Sequence, residues 1–149
     1  MREGSSHYHI LLARNFEEVA NAAEKYNRTE SPTLRSIADK TRAAAKLLIL
    51  PGGLPLVGDI SPDQTPSYLL KKLGLVNLNR RPSTKELRRL KGAGWYRKDK
   101  GPFSALWHAA PEGWSQMPGH GHQDIGSFEL HYYDAVSYTH LTLPTILRV

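Results

Sequence analysis

The sequence predicts an α+β chain. Apolar residues recur at helical spacing through the first half, short aromatic segments with partial alternation fill the second, and the period changes near Gly92. Helices followed by strands imply either two domains or one mixed unit.

Taken in order, Tyr8, Leu11, Leu12, Phe16, Val19, Ala20 and Ala23 share one face, which predicts an amphipathic helix from about His7 to Lys25. Ser5 or Ser6 can cap it. Ser31 as N-cap with Pro32 in the first turn opens a second helix, whose apolar face carries Leu34, Ile37, Ala38, Ala44, Ala45 and Leu48. Pro51-Gly52-Gly53 ends it. Two consecutive helices with a short polar connection form an αα-hairpin, the unit from which helical toroids and solenoids are assembled.

The stretch Leu54 to Asp63 is too rich in Pro, Gly and Asp for a long helix and reads as a structured loop. A short helix is predicted from Pro66 to Leu73, ending at Gly74. The basic segment around Arg80-Arg81-Pro82 reads as a linker, with one turn of helix from Ser83 to Leu90. Strands are predicted at Trp95-Tyr96-Arg97, at Phe103 to His108 and at Ser127 to Tyr132.

Composition excludes several classes. The 149 residues contain no cysteine, so neither a disulfide framework nor a thiolate metal site exists. No apolar run approaches the roughly 18 residues of a membrane span. The first residues lack a signal peptide's apolar segment, which says nothing about secretion in a chain expected to be a fragment. The formal charge is +6, and between Lys71 and Lys100 eleven basic residues stand against Glu86 and Asp99 alone. Such a stretch suits a polyanion, either an acidic polysaccharide or a nucleic acid, and equally suits a solvated connector. No recognised nucleic-acid motif accompanies it, and no Walker A, dinucleotide-binding or His-Glu-x-x-His pattern is present.

Val136 to Thr145 reads as translated sequencing adapter. The codons GTC TCT TAT ACA CAT CTG ACG CTG CCG ACG encode it in frame and match a transposon-end adapter. The native protein is therefore expected to be interrupted near Ala135, with residues 136–149 a non-native tail.

Three segments concentrate residues able to do chemistry. In Glu3-Gly4-Ser5-Ser6-His7-Tyr8-His9 a phenol stands between two imidazoles at the start of a helix. A tyrosine so placed can exchange a proton with substrate, although packing on the helix face competes as its role. In Gly119-His120-Gly121-His122-Gln123-Asp124 a glycine separates two histidines just before a strand, an arrangement for a metal or acid/base site. Two imidazoles supply only part of a three- or four-ligand zinc site, and loop histidines bonded to backbone are the competing reading. Asp124 can orient one of them or act in a turn. Leu54-Pro55-Leu56-Val57-Gly58-Asp59 is the third; Asp59 and Asp63 read as turn residues. The strand aromatics Trp95, Tyr96, Trp107, Trp114, Tyr132 and Tyr133 read as core, with sugar or base stacking as the alternative, and His108 reads as a satisfied core histidine.

Together these segments resemble the heparinase II/III family of polysaccharide lyases. The resemblance is carried by Glu3 to His9, by Leu54 to Asp59 and by Gly119-His120-Gly121-His122-x-Asp124-x-x-Ser127-Phe128-Glu129-Leu130, in the family's order, and it covers most of residues 1–135. It implies an incomplete α/α toroid followed by an antiparallel β-sandwich, with the active site between them. On this basis residues 1–73 are the C-terminal part of a toroid, 74–91 a basic linker and 92–135 the start of a sandwich. The implied reaction is β-elimination at a uronic acid of an acidic polysaccharide. By resemblance Tyr8 matches the catalytic tyrosine, His120 the active-site histidine and His122 a zinc-binding histidine. The implied partner is the acidic glycan, not a nucleic acid or a membrane, and the resemblance is compatible with a periplasmic or extracellular setting.

The departures are specific. The family's Asn/His pair that neutralises the uronate carboxylate lies upstream of its tyrosine helix, before Met1 here. The remaining zinc ligands, an Asp and a later His, belong after the SFEL strand, where the adapter-like tail stands; His140 belongs to that tail and is not taken as a ligand. The chain as it stands is therefore expected to be inactive. The alternative is a non-catalytic relative that binds acidic glycan or serves polysaccharide assembly, since motif and fold do not fix function.

Overall fold

The structure is a computed structural model that describes residues 4–76, 88–90, 93–109 and 126–139. Three helices precede five strands: α1 (Ser6–Lys25), α2 (Ser31–Leu48), α3 (Pro66–Lys72), β1 (Arg88–Leu90), β2 (Trp95–Lys100), β3 (Phe103–His108), β4 (Phe128–Tyr132) and β5 (Ala135–Thr139). The α+β class read from the sequence is the observed one. Among the described residues no helix is long and apolar enough to cross a membrane.

Helix α1 starts where Ser5, in extended conformation, accepts a hydrogen bond from the Tyr8 N–H, satisfying one of the donors that a helix start leaves open. It ends as Asn27 enters the left-handed region at φ 51° and the Arg28 N–H returns to the Ala23 carbonyl at 2.9 Å. The chain then doubles back. Arg35 near the start of α2 grips Glu24 at 2.7 Å and Glu17 at 2.9 Å on α1, so the two helices run antiparallel. One detail corrects the sequence reading: Glu30 is the N-cap of α2, without a side-chain capping bond, and the Ser31 hydroxyl donates instead to the Arg28 carbonyl. Helix α3, capped by Thr65 with Pro66 opening it, closes over the pair. Ile10, Ala13, Ala45, Ile49, Leu69, Leu73 and Leu75 form the core between the three.

The strands form one antiparallel meander in the order β1-β2-β3-β4-β5. Arg88 to Leu90, expected to continue a turn of helix begun at Ser83, are instead strand β1, paired with Trp95 to Arg97. The ladder with β2 satisfies more backbone than an isolated helical turn can, and residues 83–87 lie outside the described residues. Strand β5 covers the start of the adapter-like tail. A ladder is built from backbone groups and accepts many sequences, so this pairing and a foreign origin coexist.

The sheet has two unlike faces. Toward the helices point Trp95, Arg97 and Asp99 from β2, Ser104, Leu106 and His108 from β3, and Glu129 and His131 from β4, all buried. Trp95 and Leu106 join Leu48 and Leu50 in a second apolar cluster at the end of α2. The other face carries Tyr96, Lys98, Lys100, Phe103, Ala105, Trp107, Phe128, Leu130 and Tyr132, with Phe103, Phe128 and Tyr132 exposed. Trp95 is thus core as expected, whereas Tyr96 and Trp107 are half-buried and stacked on each other at 5.6 Å, and Tyr132 and Tyr133 are exposed. Their sequence reading as core aromatics is corrected: Tyr96, Trp107 and Tyr132 lie on the face away from the helices, and Tyr133 lies in the turn after β4. Trp114 lies outside the described residues.

Candidate functional site

The first turn of α1 is held on the loop that follows α2. The Ser6 N–H donates to the Val57 carbonyl at 3.0 Å, its hydroxyl donates to the Pro55 carbonyl, and the Val57 N–H donates back to that hydroxyl at 3.1 Å. The Ser5 hydroxyl donates to the Asp59 carbonyl at 2.7 Å, and the Ser61 N–H donates to His7 Nδ1 at 3.0 Å. Ser5, Ser6 and His7 are all buried. The two serines that look interchangeable as caps are therefore divided in function: Ser5 caps the helix, and Ser6 pins the loop.

The same turn abuts the sheet. Gly4, at φ 65°, lies so close to His108 that a Cβ there would meet its ring at 2.8 Å. The His108 ring packs at a tilt against Trp95, centroids 4.6 Å apart, and its backbone exchanges hydrogen bonds with the residues that lead into β4: its N–H donates to the Ser127 carbonyl, and its carbonyl accepts from Gly126. Gly4 to His9, Leu54 to Asp59 and Ser127 of the Gly119-to-Leu130 segment thus converge at one corner, where the first turn of α1, the loop and the ends of β3 and β4 meet.

Within this corner Tyr8 is half-buried on the first turn, its ring 6.5 Å from that of His7. His9 turns to α2 and donates from Nε2 to the Thr41 carbonyl at 3.1 Å. Burial holds its pKa below the ordinary histidine value, and the bond to Thr41 opposes that shift. His7 has its Nδ1 occupied by Ser61, so its proton is on Nε2, a buried atom with no hydrogen-bond partner among the described residues. His120, His122 and Asp124 lie outside the described residues, as does the rest of the connection at 110–125. Its two ends, Ala109 and Gly126, belong to the corner that holds Gly4. Among the described residues no three His, Cys, Asp or Glu side chains come together to hold a metal.

A second polar group, missed in the sequence, occupies the inward face of the sheet. Arg97, 3% exposed, grips Asp99 through Nε and Nη2 at 3.0 Å, while Ser104 donates to the same carboxylate at 2.7 Å. The other arm of the guanidinium donates to the Leu47 and Ile49 carbonyls at the end of α2. His131, fully buried, accepts from the Gly52 N–H on Nδ1 at 3.0 Å and bonds Glu129 through Nε2 at 2.5 Å. Arg97 and Asp99, counted in the sequence among the charges of a basic stretch, are thus interior. The signal that could have found them is their spacing: Arg97/Asp99 and Glu129/His131 are i, i+2 pairs in register with Trp95 and Leu106.

No known protein family, curated protein or solved structure matches this chain.

Proposed function

We propose that this chain is part of a polysaccharide lyase that cleaves uronic-acid-containing acidic glycans by β-elimination. The observation that carries the reading is the convergence of the three segments on which the resemblance rests: Ser5 and Ser6 bind the 55–59 loop, and Gly4 packs on His108, which is bridged to Ser127. Segments distant in sequence meet at the first turn of α1, the turn that carries the half-buried Tyr8.

The chemistry asks for two proton transfers. A base removes the C5 proton of the uronate, whose acidity is raised when its carboxylate charge is neutralised, and an acid protonates the departing C4 glycosidic oxygen. Tyr8 suits the acid role and, once deprotonated, the base role. His120 is assigned as the second active-site group. His122 is assigned to zinc by the resemblance, and no step here runs through a metal. The implied β-sandwich is supported by the uncovered sheet face, whose Phe103, Trp107, Phe128 and Tyr132 are the kind of surface a second sheet packs on.

The test is Tyr8→Phe in the protein extended at both ends from its source gene. Loss of the hydroxyl is expected to remove nearly all formation of unsaturated, ultraviolet-absorbing product while leaving the circular dichroism spectrum unchanged. Full turnover by the Phe variant removes Tyr8 from the mechanism.

A further inference from the structure

We propose that His131 is a positioning residue, a tautomer-fixed latch that sets how the sheet sits on the helical hairpin. The last step of this inference, from latch to turnover, rests on the lyase reading; the latch itself does not.

His131 lies where the β4–β5 register shifts, between Leu130 and His131, and it is fully buried. Its Nδ1 accepts from the Gly52 N–H at 3.0 Å. A backbone amide only donates, so Nδ1 is bare and the imidazole proton sits on Nε2, 2.5 Å from Glu129 Oε1. Both ring nitrogens are therefore committed, one to the strand that carries the histidine and the other to the turn that follows α2. Arg97 adds a second link, to the Leu47 and Ile49 carbonyls, and Gly4 against His108 a third.

These links fix a relation that matters for chemistry. Tyr8 is carried by α1, which packs on α2 through Ile10, Ala13, Ala45 and Ile49. The connection bearing His120 and His122 is carried by β3 and β4, the latter being the strand of His131. The latch thus governs the placement of the helix-borne Tyr8 relative to the ends of β3 and β4 at Ala109 and Gly126, while touching neither substrate nor reacting atoms.

Two substitutions separate its two bonds. His131→Asn keeps an acceptor near the Nδ1 position and gives up Glu129; His131→Gln does the reverse. In the 149-residue chain, nitrogen NMR of the imidazole is expected to show a bare Nδ1 and a protonated Nε2. Hydrogen exchange at Gly52 is expected to speed up at least about tenfold in His131→Gln and to stay near wild type in His131→Asn. In the extended protein, His131→Gln is expected to lower kcat about a hundredfold with KM within about twofold, and His131→Asn to restore most of it. The opposite tautomer, or equal Gly52 exchange in both variants, overturns the latch. Faster Gly52 exchange with unchanged kcat overturns the positioning role. If the extended wild-type protein forms no product, the lyase reading falls, and the tautomer and exchange results still decide the latch.

Discussion

Gly52 leaves no room for a side chain. A Cβ there would run into the Asp134 carbonyl oxygen and meet the His131 ring at 2.9 Å, so the turn after α2 can approach the β4–β5 turn only as glycine. Gly52→Ala is expected to lower the stability of the 149-residue chain by about 1–3 kcal/mol, read as a shift in the urea midpoint. An unchanged midpoint would contradict this packing. His9 makes a second prediction. Burial lowers its pKa below 6.5, so the unfolded chain binds the proton more readily than the folded one. Its contribution to stability is complete above pH 6.5 and is lost as pH falls through that value toward the folded pKa. The urea midpoint is therefore expected to drop on acidification across this window, and to drop less in His9→Gln. Identical pH slopes in the two proteins would contradict it.

At the scale of elements, α1 depends on Ser5. Its hydroxyl serves the Tyr8 N–H and the Asp59 carbonyl together, so Ser5→Ala is expected to cost about 0.5–2 kcal/mol and to fray the turn that carries Tyr8. Calorimetry checks the first, and exchange of the Tyr8 amide the second; a wild-type melting temperature would contradict the cap. The helices were legible because their signals are local: period, Ser5, Pro66 and Gly74 lie within the elements they define. Strands β2, β3 and β4 were legible from aromatic alternation. Strand β1 was not, since Arg88-Arg89-Leu90 has no period of its own and is a strand only because Trp95 to Arg97 pair with it. The placement of the cap of α2 at Glu30 rather than Ser31 turned on backbone geometry, where Ser31 prefers the Arg28 carbonyl.

Across the whole molecule, a helical layer rests on a sheet whose inner face is as much polar as apolar. Leu48, Leu50, Trp95 and Leu106 supply the burial, while Arg97, Asp99, Ser104, Glu129 and His131 supply directed bonds to the end of α2 and its turn. This part of the molecule was invisible in the sequence because charge counts treat Arg97 and Asp99 as surface residues; only the strand register turns them inward. The helix start at Ser5, by contrast, was legible from its local signal, and its attachment to the 55–59 loop is made by Ser5 and Ser6. The most direct measurement is mass analysis of what the extended protein releases from a panel of uronic-acid glycans. The account predicts oligosaccharides one water lighter than hydrolysis would give, with ultraviolet absorbance from the new double bond; hydrolytic masses, or no cleavage of any glycan on the panel, would contradict it.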